Sequence, residues 1–172
     1  MQLLIKWQRS QRLVGSSEPG WIIGHIVLDS LLFTRLLPST VERILDVGSG
    51  AGVPGIPLKI VLEQTSFTLL EARAKRVSFL SAVVRELALR DCAVVNERLE
   101  SIMDEQAASF DAAVLRCAGN PAALMDVALG VLKPGGLMIA AGPPRRRVIS
   151  GGDWTEVDGP LGKRLFWVAR KA

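Results

Sequence analysis

The chain has 172 residues, 49% of them hydrophobic and 22% charged, which fits one globular domain and excludes a disordered chain. Its formal net charge of +4 permits an anionic partner such as nucleic acid, while two cysteines and one histidine are too few for a disulfide framework or a zinc site. No apolar run reaches membrane-spanning length and residues 3–5 are too short for a signal sequence, so we expect a cytoplasmic protein.

The first 40 residues are predicted to form a helical extension that packs on the rest of a single domain, residues 1–172. Residues 1–7 fit the end of a short helix. Residues 8–20 are polar and rich in Gly and Ser, and they predict a loop. Residues 21–37 are densely apolar and are followed by a proline, which predicts one helix beside the sheet.

From residue 41 onward, short apolar runs alternate with helical patterns. The second of these helices should bury one face, formed by Val77, Leu80, Val84 and Leu87. The alternation followed by two strands without a helix predicts an α/β fold with a mostly parallel sheet and an antiparallel C-terminal hairpin. The predicted strands are 41–47, 67–71, 92–96, 110–115, 137–141, 154–157 and 165–169, and the helices are 54–63, 74–89, 99–106 and 121–132.

A glycine-rich turn follows the first predicted strand. Gly48, Gly50 and Gly52 come directly after Asp46-Val47, and a helix-compatible segment follows. Strand, glycine turn and helix form the opening unit of nucleotide-binding α/β sheets, because glycine tolerates positive φ and lets a ligand lie on the backbone. Two ligands are open here. Gly50, Gly52 and Gly55 satisfy the dinucleotide pattern G-x-G-x-x-G, whereas the stretch from Asp46 to Gly52 looks like motif I of class I S-adenosylmethionine (AdoMet) methyltransferases.

The carboxyl ends of the parallel strands should meet at the edge of the sheet that binds the ligand. Glu71 ends the second strand about 20 residues past the turn, where a carboxylate accepts hydrogen bonds from ribose hydroxyls in NAD-binding and AdoMet-binding proteins alike. A sharp stop before the fifth strand is frequent in class I methyltransferases, and it consists of Lys133-Pro134-Gly135-Gly136.

Two residues at the end of the fourth strand have alternative readings. Arg116 is either a solvated strand-end residue or a planar group of donors that faces a cofactor carboxylate or a substrate nucleotide. Cys117 is either a nucleophile or, several times more often, a small buried residue, and no adjacent acid or base stands out to activate it. The sequence also lacks the motifs typical of exocyclic-amine methylation and of ribose 2′-O methylation.

The stretch from Asp46 to Leu58 resembles the signature of the RsmG (GidB) family of 16S rRNA guanine-N7 methyltransferases. The proline after the glycine turn is the specific feature, and Val53 before it stands in for a usual Phe or Leu. The resemblance extends over nearly the whole chain. It implies a class I AdoMet-methyltransferase (Rossmann-like) doubly wound sheet, AdoMet as cofactor, and 16S rRNA or a small ribosomal subunit particle as partner. It implies no metal, and we expect a monomer. The other stretches that agree are Leu70-Glu71, Lys75-Arg76-Val77, Phe79-Leu80 and Arg98-Leu99-Glu100.

The resemblance also assigns roles to individual residues. Gly48 and Val53 would line the methionine and ribose side of AdoMet, Leu99 and Glu100 would flank the adenine, and Arg116 would reach the cofactor or the target. No catalytic residue is implied, because guanine N7 has a free lone pair and alignment of the reacting atoms suffices. The complete expected cofactor-binding set is Gly48, Gly50, Gly52, Val53, Glu71, Leu99, Glu100 and Arg116.

Some positions depart from the family pattern. Arg12 and Val14 replace an Asn and a Thr, and Gly142 replaces a Lys at the end of the fifth strand. His25 and Asp29 are one residue further apart than the family's His-x-x-Asp-Ser, so no role is carried onto His25.

Three arginines, Arg145 to Arg147, either contact phosphates or form a solvated loop. The alternative functions are a methyltransferase for another substrate, a non-catalytic AdoMet or nucleotide sensor, and, more distantly, an NAD dehydrogenase.

Overall fold

A computed structural model describes residues 2–116, 121–142 and 150–172. The expectations for Cys117 and for Arg145 to Arg147 lie outside these residues. In chain order the elements are α1 Gln2–Gln11, α2 Pro19–Ile22, a π-helix Ile23–Leu28, α3 Asp29–Leu31, a 3₁₀-helix Leu32–Arg35, β1 Arg43–Val47, α4 Gly55–Val61, β2 Ser66–Leu70, α5 Ala74–Glu86, β3 Cys92–Val95, α6 Leu99–Ile102, β4 Phe110–Arg116, α7 Pro121–Val131, β5 Leu132–Ala141, β6 Asp153–Gly159 and β7 Gly162–Arg170.

The seven strands form one sheet in the order β3-β2-β1-β4-β5-β7-β6. Strands β1 to β5 are parallel, and β7 pairs antiparallel with both β5 and β6. The predicted fold class is confirmed. The chain order reverses between β1 and β4, so the topological switch point lies beside the glycine turn.

The N-terminal helical segment differs from its prediction in two ways. Helix α1 extends to Gln11, so the predicted loop begins four residues later than expected. The predicted single helix starts at Pro19, where the Glu18 carboxylate accepts the N–H groups of Gly20 and Trp21, and a π-helix interrupts it. Because a π turn contains an extra residue, it accommodates the longer spacing between His25 and Asp29.

Three other predictions are corrected at their boundaries. Helix α5 buries Phe79, Leu80 and Val83, whereas Leu87 is 48% exposed because the helix ends at Glu86. Residues 133–136, predicted to be a stop before β5, belong to that strand. The register between β5 and β4 shifts at these residues, which form a bulge. The hairpin turn lies between the paired Gly159 and Gly162, so both strands extend further towards the turn than the predicted 154–157 and 165–169.

Alternate residues of each strand supply the hydrophobic clusters on the two faces of the sheet. Ile44 belongs to one cluster and Leu45 to the other. The N-terminal segment contributes Phe33, which is fully buried with its ring edge-on to Phe166 at 4.9 Å between centroids. Leu32 and Phe33 are therefore part of the core that packs against β1 and β4. No described helix is long and apolar enough to cross a membrane.

Candidate functional site

The glycine turn between β1 and α4 uses its glycines for two different purposes. Gly48, Gly50 and Gly52 have φ of 67°, 55° and 77°, values at which a side chain strains the backbone. A Cβ on Gly52 would lie 2.2 Å from the Ile56 side chain, so its missing side chain is explained by packing. Gly48, in contrast, is exposed at the edge of the sheet. Within the turn, the exposed backbone is therefore at Gly48, while Ser49 and Gly50 are buried.

Glu71 closes the turn from the neighbouring strand. Its Oε2 accepts the Gly50 N–H at 2.9 Å, and its Oε1 accepts the Arg73 N–H at 2.8 Å. The Arg76 guanidinium lies 3.7 Å from Oε2, and Glu71 is only 5% exposed. The structure thus brings together Gly50 and Glu71. Each carboxylate oxygen still has a lone pair for a ligand hydroxyl.

Asp46 lies fully buried behind the turn. Its Oδ2 accepts the Gly55 N–H at 3.1 Å, while its Oδ1 has no hydrogen-bond partner among the described residues. Burial raises the pKa of the Asp46 carboxyl to about 7 and the nearby Glu71 adds to this, while the Gly55 N–H and the Ser49 hydroxyl, which donates to the Asp46 backbone carbonyl at 2.9 Å, act in the opposite direction. An unpartnered buried oxygen is costly in a folded protein.

The end of β3 lies beside that of β2. Leu99 is buried and Glu100 is exposed in the first turn of α6, which starts four residues after the strand. The Asn96 side-chain amide donates to the carbonyls of Glu71 and Ala72 at 3.0 and 3.1 Å. Sequence reasoning missed this amide, whose only signal was its place at a strand end.

Arg116 is held by the N-terminal helical segment. Its guanidinium forms an ion pair with Asp29 at 3.2 Å and donates to the carbonyl of His25. Two longer bonds of 3.4 Å reach the Ile26 carbonyl and the Ser30 hydroxyl. The side chain is 13% exposed, so Arg116 is not a solvated strand-end residue. It fastens the helical segment to the carboxyl end of β4.

Asp29 also pairs with a second arginine. Its Oδ1 lies 3.2 Å from Nε of Arg164 on β7, and Arg164 donates to the Gly142 carbonyl at 2.8 Å. One carboxylate therefore joins the N-terminal segment to β4 and β7. The signal for Asp29 was an acidic residue in an apolar helix, while nothing in the sequence distinguished Arg164. Within residues 2–116, 121–142 and 150–172, no group of three or more His, Cys, Asp or Glu could hold a metal ion.

Comparison with known proteins gives one family. The model of the GidB family, described as rRNA small subunit methyltransferase G, matches residues 1–142. Ribosomal RNA small subunit methyltransferase G of Polynucleobacter asymbioticus is 35% identical over 145 residues, which are 81% of this chain and 65% of the relative. The protein of the same name from Laribacter hongkongensis is 39% identical over 136 residues, 79% of this chain and 64% of the relative. The chain spans about three fifths of the length of these curated relatives.

Solved structures share the fold at low identity. A SAM dependent methyltransferase from Aquifex aeolicus superposes with a TM-score of 0.63 at 16% identity, covering 90% of this chain and 94% of its own. A precorrin-6y C5,15-methyltransferase from Geobacter metallireducens gives 0.65 at 13% identity, with 94% and 92% coverage. These two likenesses show the architecture alone.

Proposed function

The chain belongs to the rRNA small subunit methyltransferase G (GidB) family, and we propose on that premise that it methylates N7 of a guanine in 16S rRNA with AdoMet as methyl donor. The observation that carries the proposal is the hydrogen bond of 2.9 Å between Gly50 and Glu71. It joins an open glycine turn to a carboxylate at the end of the next strand, which is the arrangement that a nucleoside with a charged tail requires.

The residues around the turn fit this cofactor. The Glu71 carboxylate would accept the ribose hydroxyls, and the backbone from Gly48 to Gly52 with Val53 would lie along the ribose and methionine, with its exposed part at Gly48. Leu99 would pack on the adenine with Glu100 at its edge, and Arg116 would face the methyl-transfer side, where it already holds the N-terminal segment.

The chemistry asks little of the protein beyond alignment. AdoMet supplies an electrophilic methyl group on a sulfonium. Guanine N7 has a lone pair that is not protonated at neutral pH, so no side chain has to remove a proton. The residues of the site hold the base, the methyl carbon and the leaving sulfur in line, and such positioning contributes about 7 to 11 kcal/mol in well-oriented reactions.

The proposed partner is 16S rRNA, either free or in a small-subunit particle. Because N7 lies on the major-groove edge, the guanine must be presented in an open or splayed element of the RNA. We further propose that residues 1–172 act as one unit, that the protein works as a monomer, and that it acts in the cytoplasm, where bacterial rRNA is processed.

Two measurements test the function. Radiolabelled methyl from AdoMet should enter small-subunit rRNA or 30S particles that lack this mark, and nuclease digestion should recover it as 7-methylguanosine. Titration calorimetry should show AdoMet binding and no NAD binding. Label that never enters the RNA would refute the RNA methyltransferase. Binding of NAD in preference to AdoMet would refute the cofactor.

Glu71→Gln tests the proposed cofactor site. The amide lacks the charge and one of the acceptor oxygens that hold Gly50 and the ribose, so we expect AdoMet affinity to fall about tenfold or more. Glu63→Gln is the matched control, because Glu63 is exposed at the end of α4. Unchanged affinity in Glu71→Gln would exclude Glu71 from the cofactor site.

A further inference from the structure

The N-terminal segment presents a stacked pair of aromatic rings to solvent. The rings of Trp21 and His25 lie with centroids 4.7 Å apart and with 12° between their planes. Trp21 is half-buried, and a Cβ on Gly15 would lie 3.3 Å from its indole ring, whereas His25 is exposed. The imidazole is therefore the outer ring of the stack.

The backbone that carries this stack lies at the edge of the sheet that holds the candidate site. The His25 carbonyl accepts the guanidinium of Arg116, the last residue of β4, and β4 pairs directly with β1. The next residue, Ile26, lines a groove of about 570 Å³ together with Gly52 and Val53 of the glycine turn. The helical turn that carries the rings is thus packed between the glycine turn and the end of β4.

The imidazole orientation is also fixed. Its Nδ1 lies 3.2 Å from the Trp21 carbonyl, and the backbone on either side of His25 is in the π-helix. A ring held by a hydrogen bond and a stacked neighbour loses little rotamer freedom when a planar ligand packs on it. Proteins recognise unstacked nucleobases by stacking them on aromatic side chains, among them histidine.

During methylation at N7, such an aromatic stack would also stabilise the transition state. The N7 lone pair forms the new N–C bond as the C–S bond breaks, so the positive charge moves from the sulfur to the purine ring. A cation is attracted to the face of an aromatic ring, so the purine binds an indole–imidazole stack more tightly as the charge develops. An interaction that strengthens in the transition state accelerates the reaction.

We propose that the Trp21–His25 stack is the platform for the target guanine, with His25 supplying ring surface rather than acting as a base. This inference rests on the proposed function, because it takes guanine N7 as the methyl acceptor. It assigns His25 to base recognition and transition-state stabilisation, and it leaves AdoMet binding to the glycine turn and Glu71.

Kinetics of three variants test the platform. His25→Ala removes the outer ring and should lower kcat/KM for methyl transfer to small-subunit rRNA about tenfold, within the range of stacking energies. His25→Phe keeps a ring that cannot act as a base and should retain most of the activity. Ile23→Ala is the matched control, because Ile23 is exposed on the same π-helix. AdoMet affinity by calorimetry should be the same in all three.

The outcomes separate the roles of His25. Full activity in His25→Ala, or loss in His25→Phe equal to that in His25→Ala, would overturn the platform. The rescue by phenylalanine is the result that a catalytic base would not give, and the fluorescence measurement below separates ligand stacking from a merely structural role.

A binding measurement decides the inference without turnover. 7-Methylguanosine monophosphate, the cationic product base, should quench the tryptophan fluorescence of the wild type, and more weakly that of His25→Ala and Trp21→Leu. Equal quenching in the wild type and His25→Ala would overturn the platform. If the wild type transfers no methyl group to RNA, the proposed function fails, while the quenching still decides whether the stack binds a cationic purine.

Discussion

Asp46 is a carboxyl group that the fold buries behind the glycine turn. It is fully buried, one oxygen accepts the Gly55 N–H, and the other has no partner among the described residues. Burial without a counter-ion disfavours the charged form, which is why the pKa is raised. The residue therefore makes stability depend on pH in the direction opposite to that of a salt-bridged carboxylate.

The unfolded chain releases the Asp46 proton near 3.8, whereas the folded protein holds it to about 7. Between these values the folded state binds more protons than the unfolded state, so this group lowers the free energy of unfolding as pH rises through that window. Asp46→Asn removes the titration. As pH rises from about 5 to about 8, we therefore expect the free energy of unfolding of the variant to increase by about 2 to 3 kcal/mol relative to that of the wild type.

Urea unfolding at both pH values measures this difference. Asp158→Asn is the control, because Asp158 is exposed on β6 and its replacement should leave the pH dependence of the unfolding free energy as in the wild type. Parallel pH profiles for the wild type and Asp46→Asn would contradict the account.

At the scale of elements, the site depends on how closely α4 approaches β1. A Cβ on Gly55 would lie 2.5 Å from Asp46 Oδ2 on β1 and 2.5 Å from Leu69 Cδ2 on β2. The first turn of α4 therefore packs directly on these two strands only because Gly55 has no side chain. The N-terminal segment is fastened differently, by one carboxylate that binds arginines from two strands. Packing positions the turn, and charge positions the segment that faces it.

Gly55→Ala should lower the free energy of unfolding by about 1 to 3 kcal/mol, because the added methyl group has no space between Asp46 and Leu69. Gly130→Ala, inside α7, is the matched control. Its Cβ would lie 3.3 Å from the partly exposed Met103, which has room to turn aside, and alanine favours the helix. Denaturant unfolding compares the two. A Gly55→Ala protein as stable as Gly130→Ala would contradict the close approach.

Asp29→Asn should loosen the N-terminal segment by removing the charge that Arg116 and Arg164 share. We expect a loss of about 1 to 3 kcal/mol in unfolding free energy, because both pairs are largely shielded from water. Lys163→Gln is the control, since its pair with Glu156 leaves the lysine side chain 69% exposed and should be worth about 0.5 kcal/mol or less. Equal stabilities of the two variants would show that the Asp29 network does not hold the segment.

At the scale of the whole molecule, exposed positively charged side chains lie at the edge of the sheet that holds the candidate site. Arg73, Lys75 and Arg98 are exposed near the ends of β2 and β3, next to the Glu71 carboxylate. Their placement beside the proposed cofactor site would suit contacts with the phosphates of an RNA strand whose target base reaches the methyl group. An electrostatic contribution of this kind weakens as salt increases, because counterions compete for the phosphates.

RNA affinity should therefore fall roughly tenfold between about 50 and about 200 mM salt, as expected for a few phosphate contacts, while AdoMet affinity changes little. Replacing Arg73 and Lys75 by Gln should flatten the dependence. The matched control replaces Arg85 and Arg90, which are exposed at the other end of α5. Filter binding at several salt concentrations measures the slopes. A slope that changes equally in both double variants would place the RNA elsewhere.

The sequence by itself determined the fold class, the family and the glycine turn. Hydrophobic alternation and turn residues act locally, so the strands and the place of Gly50 and Glu71 at neighbouring strand ends followed from the order of the elements. Boundaries were less accurate where tertiary contacts decide them, as at Leu87, which the pattern placed in the buried face and the structure leaves exposed.

Only the tertiary structure decided which distant side chains meet. Arg116 contacts Asp29 across the helical segment, and Asp29 contacts Arg164 on β7, but ion pairs between separate elements leave no periodic signal in the sequence. The same holds for the stacked rings of Trp21 and His25, whose geometry depends on a π turn that no local pattern indicated. The sequence predicted the glycine turn at which we propose that a cofactor binds, because such a turn depends on local backbone. The surface that would hold the second reactant is assembled from segments far apart in the chain.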